Sequence, residues 1–158
     1  MAGIGEASAV MGVVSLGFGI AAALNTYVSG VAAARDDVSS LSSEIEATLL
    51  HLKGLRKLLT QNERTQAWDA DGLETARGAI RDCENIIIKL RKLLRKASWK
   101  TTNDNELKGF ISNEIDLSKF EAALWPRLKP DLDLCKGELL RIKFNILLAN
   151  DAYMLGTV

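Results

Sequence analysis

The first 34 residues carry one charged side chain, Glu6, and the next charge is Arg35. Histidine occurs once, proline and cysteine twice each, and aromatics make up 6 % of the 158 residues. Each scarcity removes a class of function. A lone His51 and two distant cysteines, Cys83 and Cys135, offer no metal-ligand spacing. Twenty Lys and Arg balance twenty Asp and Glu, so no global field draws the chain to nucleic acid or to an acidic substrate. No Gly-rich loop precedes a Lys-Ser or Lys-Thr pair, and no Gly-x-Ser-x-Gly elbow occurs. The adjacent carboxylates Asp36 and Asp37, and Glu44 with Glu46, fit solvated helix faces better than acid–base chemistry. These absences read as a chain that is not an enzyme and has no cofactor.

What is present is periodicity. Val38, Leu41, Ile45, Thr48, Leu52, Leu55 and Leu59 are spaced 3 and 4 in strict alternation, with Thr48 the one polar member. Leu73, Ala76, Ile80, Cys83, Ile87, Leu90 and Leu94 repeat the pattern. So do Leu128, Leu132, Cys135, Leu139, Ile142, Ile146, Ala149 and Tyr153. Each is the apolar stripe of an amphipathic helix. A first helix is expected over about 4–33. A second runs from an N-cap at Asp36 or Asp37 to about 61–62, and a third from an N-cap at Asp71, boxed with Glu74, to about 97–99. The polar run 100–105 reads as a loop. A shorter or split helix follows over 106–124, with Leu107, Phe110, Ile111, Ile115 and Leu117 apolar. Trp125-Pro126 and Pro130 predict a break or kink before the last helix. The expectation is one all-α domain over 1–158, an elongated antiparallel bundle of four to five helices: an apolar first helix over 1–34 and bundle helices over 36–158. Cys83 and Cys135, both on stripes, are expected as buried thiols in a reducing compartment. His51 lies off its stripe and is expected on the surface.

Two features point outward from the bundle. Ala7–Leu24 has 18 residues without charge, close to the minimum for crossing a bilayer. Its character is small: Gly5, Gly12 and Gly19 recur every seven residues, with Ser8, Ser15 and Ala22 beside them. Such a stripe lets another helix backbone approach closely, as in membrane helix pairs. It fits packing against the chain's own bundle, or against copies of itself in lipid. The other side, with Val10, Val13, Val14, Phe18 and Ile20, is apolar too. A cleaved signal peptide is disfavoured by Glu6 and by the lack of basic residues ahead of the apolar run, and a permanent span by the Gly and Ser content. The second feature is Lys89, Arg91, Lys92, Arg95, Lys96 and Lys100, a run of cations with no acid from Ile86 to Lys100. Some complement the helix dipole; together they suit anionic lipid headgroups. No aromatics interleave with them, which argues against nucleic acid.

The stretches GEASAVMGVVSLGFGIAAALNTYVSG, DDVSSLSSEIEATLLHLKGLRKLL and ALWPRLKPDLDLCKGELLRIKFNILLA together resemble the HeLo-like N-terminal domain of fungal STAND (NLR-like) proteins, across essentially the whole chain. The resemblance implies a helical bundle similar to the four-helix domain of mixed-lineage kinase domain-like protein and to plant NLR coiled-coil domains. It implies a cell-death effector of fungal innate immunity and heterokaryon incompatibility: a cytoplasmic domain that relocates to the plasma membrane on activation. Its partners would be anionic membrane lipids, further copies of itself in an activated homo-oligomer, and a downstream nucleotide-binding or amyloid signalling module. The glycine-rich pattern it implies for insertion and oligomerisation falls on Gly5, Gly12, Gly17 and Gly19, with Val13, Leu16 and Phe18. The junction Arg35-Asp36-Asp37 departs from the basic or proline-containing junction of many members. The other reading of the same residues is a helical interaction or autoinhibition module of a larger receptor, without membrane activity.

Overall fold

The computed structural model describes residues 2–28, 35–99 and 125–157, with side-chain packing described for 10–25, 36–95 and 126–157. Four helices occupy these residues: α1 (Ala2–Val28), α2 (Arg35–Thr65), α3 (Ala70–Trp99) and α4 (Trp125–Gly156). At 1.5 Å per residue each is roughly 40–48 Å long, and together they form an elongated all-α bundle in which consecutive helices run antiparallel.

The three heptad stripes are the core. Every stripe member from Val38 to Leu59, from Ala76 to Leu94 and from Leu128 to Tyr153 is buried, and α1 adds Val10, Val13, Val14, Ile20, Ala21 and Leu24. Leu73 is partly buried at the edge of that cluster. Thr48 is tolerated inside because its hydroxyl donates to the Glu44 carbonyl at 2.8 Å, leaving no unmet donor.

Packing follows a ring: α1 on α2, α2 on α4, α4 on α3, α3 on α1. Helices α2 and α3, joined by a short turn, therefore face each other across the bundle. Neighbours α2 and α4 run parallel, and a ladder from α4 fixes their register. Lys129 pairs with Asp37 at 3.3 Å, Lys136 donates to Ser40, and Lys143 pairs with Glu44 at 3.1 Å. Helices α1 and α2 are antiparallel: Met11 meets Arg56, Gly17 meets Leu49, and the Ser42 hydroxyl donates to the buried Ala21 carbonyl at 3.3 Å.

Several boundaries differ from expectation. The expected end of α1 near residue 33 lies outside the described residues. Helix α2 begins at Arg35, so Asp36 and Asp37 lie in its first turn, where their charge complements the dipole, rather than capping it. It runs on to Thr65 and ends where Gln66 turns left-handed at φ 48°, its N–H bonded to the Asn62 carbonyl at 2.9 Å. The cap of α3 is Asp69, not Asp71: the Asp69 carboxylate accepts the Gly72 N–H at 2.7 Å, and Glu74 turns to Arg81 at 2.9 Å instead of closing a box. No break interrupts α4 at Pro126 or Pro130. Pro126 lies in the first turn of α4, where no helical bond is needed, and the helix continues through Pro130. The expected loop over 100–105 and fifth helix over 106–124 lie outside the described residues. His51 is half-buried rather than exposed.

The turn between α2 and α3 is a packed plug. Trp68 is buried, its N–H bonded to the Asn62 side-chain oxygen at 3.0 Å and its indole N–H to the Ala149 carbonyl at 2.8 Å. Its ring meets Tyr153 edge-on at 5.1 Å, and the Tyr153 hydroxyl lies 3.0 Å from that of Thr65. A side chain at Gly156 would overlap the Ala67 carbonyl, so α4 ends flush against this turn. The C-terminus of α2, the start of α3 and the C-terminus of α4 thus share one end of the bundle.

Candidate functional site

Helix α1 holds large residues inward and small ones outward. Val10, Val13, Val14, Gly17, Ile20, Ala21 and Leu24, two successive i, i+3, i+4, i+7 sets that share Gly17, are buried. Gly17 is a packing glycine: a Cβ there would sit 2.6 Å from Leu49 Cδ1. Gly12, Ser15, Gly19 and Ala22 make the opposite, exposed face, and a Cβ at Gly12 or Gly19 would meet nothing within 4 Å. At Gly12 and Gly19 the small stripe therefore has open space where close-packing glycines would meet another helix. Leu16 and Phe18 flank it, half-buried, with Lys53 Nζ 5.0 Å above the Phe18 ring. Val13 lies in the core. Gly5 is helical, and its surroundings lie outside the described residues.

This division explains why α1 is apolar all round. The core face supplies the burial that holds the helix to α2 and α3. The outward face, apart from the 41 % exposed Met11 at its edge, supplies Gly, Ser and Ala, which add little area. Each exposed glycine costs about 1 kcal/mol against alanine in a helix interior, and at Gly12 and Gly19 no close approach within the bundle offsets that cost.

The basic residues of α3 do not form one face. Lys89 turns toward α4 and pairs with Glu138 at 3.3 Å. Lys92 is exposed, while Arg91 and Arg95, on the flank turned away from α4, are half-buried. The side chains of Lys96 and Lys100 lie outside the described residues. Antiparallel packing on α2 puts the start of α1 at the Trp68 end of the bundle, and the basic end of α3 is at the other end. The start of α1 is thus about a helix length from the basic end of α3, while the Gly19–Leu24 part of α1, a parallel neighbour of α3, runs toward that basic end.

Among the residues with described side chains, no helix is long and apolar enough to cross a membrane; in α1 these are Val10 to Asn25. Among the described residues, no group of three or more His, Cys, Asp or Glu is placed to hold a metal ion. Cys83 and Cys135 are buried, free thiols. Burial, with Asp82 nearby, pushes Cys83 up to about 12, and burial raises Cys135 although Lys89 opposes it. Both stay protonated at neutral pH and make poor nucleophiles.

One surface escaped the sequence reading. Helix α4 carries a second apolar set facing solvent, including Leu134, Phe144, Met154 and Leu155, each 60 % exposed or more. The signal was a second heptad on the same helix, masked by the stripe that forms the core. Comparison with family models, with curated proteins and with solved structures finds no match to this chain.

Proposed function

We propose that this bundle is a membrane-targeting effector whose first helix is held in reserve, as the resemblance to HeLo-like domains implies. The observation that carries the reading is the outward stripe of α1. Gly12 and Gly19 lower helix stability, and a Cβ at either would meet nothing within 4 Å, so their use lies in another state. In that state several copies gather under a partner module and α1 leaves the core. Its small face then allows close helix–helix approach in lipid, while Val13, Leu16 and Phe18 meet the acyl chains. Lys92 and the cations around it approach anionic headgroups, each contributing on the order of 1 kcal/mol. Relocation from cytoplasm to plasma membrane follows from that attraction.

Dye leakage from vesicles containing anionic lipid tests this. Gly12→Leu with Gly19→Leu should keep the fold and, because both sites are open and leucine is the better helix former, stabilise it by about 1–2 kcal/mol, and should cut leakage about tenfold by blocking the approach. Leakage unchanged in a folded double variant removes the stripe from the mechanism. A wild-type chain that neither binds nor permeabilises such vesicles favours the second reading, an interaction module without membrane activity. One observation speaks for that reading: the solvent-facing apolar set on α4, on the far side of the bundle from α1.

A further inference from the structure

The outward face of α4 is ordered, not merely apolar. Its most outward residues are Gly137, Arg141, Phe144, Leu148, Asp151 and Leu155, spaced 4, 3, 4, 3 and 4, and all are exposed. This is a complete heptad seam on the side opposite the core, the pattern by which one helix lies along another. The seam is also self-complementary. Set two copies antiparallel about a two-fold axis at residue 146, and each position meets the one reflected through that point. Phe144 then faces Leu148 of the other copy, Arg141 faces Asp151, and Gly137 faces Leu155. Apolar meets apolar, cation meets anion, and the smallest residue meets a large one. Among the described residues neither Arg141 nor Asp151 has an ion pair or hydrogen-bond partner, and a Cβ at Gly137 would meet nothing within 4 Å.

We infer that a second copy of this chain docks on α4, forming a symmetric antiparallel dimer through this seam. Leu140 and Leu147, 44 % and 40 % exposed, widen the contact on the α2 side, as does Met154. The exposed apolar surface from Leu134 to Leu155 is on the order of 600 Å² or more. That exceeds what monomers ordinarily show and approaches the roughly 800 Å² per partner of a standard interface. The two-fold operation doubles each contact, so two Arg141–Asp151 pairs form for one interface. The dimer leaves the outward face of α1 uncovered, and it stands whether or not α1 ever enters lipid.

Sedimentation equilibrium of the full chain over a roughly hundredfold concentration range tests the dimer, with far-UV circular dichroism as the control for folding. The wild type should approach twice the chain mass, and Phe144→Glu should give a folded monomer. Arg141→Asp places acid against acid, and Asp151→Arg places base against base. Each should weaken the dimer about tenfold or more, and the double reversal should restore it. A wild type that stays monomeric throughout overturns the inference, whatever else covers the face. So does a dimer that Phe144→Glu leaves intact, or single reversals that the double variant fails to rescue.

Discussion

Three glycines of one helix separate cleanly at the residue scale. Gly12 and Gly19 face open space, while Gly17 lies against Leu49. Alanine at either of the first two adds helix propensity and removes unfolded-state freedom without a clash. Gly12→Ala and Gly19→Ala should each stabilise the bundle by about 0.5–1 kcal/mol. Gly17→Ala drives a methyl into a fully buried leucine and should cost about 1–3 kcal/mol. Urea unfolding of the three variants checks both signs. A loss at all three positions would mean that the outward stripe is in fact packed. The sequence revealed that Gly5, Gly12 and Gly19 share a face, because a seven-residue repeat does so on any helix. It did not reveal that the face points outward. With Val, Ile and Phe on the other side and no charge between residues 7 and 34, no polar residue marked the solvent side.

At the scale of elements, the stripes of α2, α3 and α4 were legible residue by residue. Each alternates 3 and 4 against a polar background, and burial follows that pattern from Val38 to Tyr153. The ends were less legible, since they depend on single side chains with no period. Asp69 caps α3 only because the chain reverses at Gln66, and Pro130 is accommodated because α4 is anchored on both sides of it. Trp68 is the main omission. Alone among the polar residues of a connecting stretch it carried no pattern, yet it joins three helix ends through Asn62, Ala149 and Tyr153. Trp68→Ala should therefore destabilise the whole bundle by about 3–5 kcal/mol, far beyond an ordinary loop substitution. Trp68→Phe keeps the ring contact but removes the indole donor, and should cost about 1 kcal/mol more than the hydrophobic change alone. Equal, small effects on the urea midpoint would show the turn to be peripheral.

At the scale of the molecule, the bundle buries what the proposed mechanism must expose. Val13, which the mechanism sets against acyl chains, is buried in the core while α1 stays seated on α2. Membrane action thus requires α1 to part from α2, and preventing the parting should prevent the action. The Ser42 hydroxyl reaches the Ala21 carbonyl at 3.3 Å, which marks where the two helices approach closely. Ala21→Cys with Ser42→Cys places a thiol pair at that contact. The native thiols do not compete: both are buried, and burial raises the Cys83 pKa to about 12 and that of Cys135 as well. With the bridge formed, vesicle leakage should fall to the level of empty vesicles, and a reductant should restore it. Mass spectrometry of the tryptic peptides verifies the bridge. Full leakage from the bridged chain would show that α1 acts without leaving α2, and release of the first helix would then have no part in membrane action.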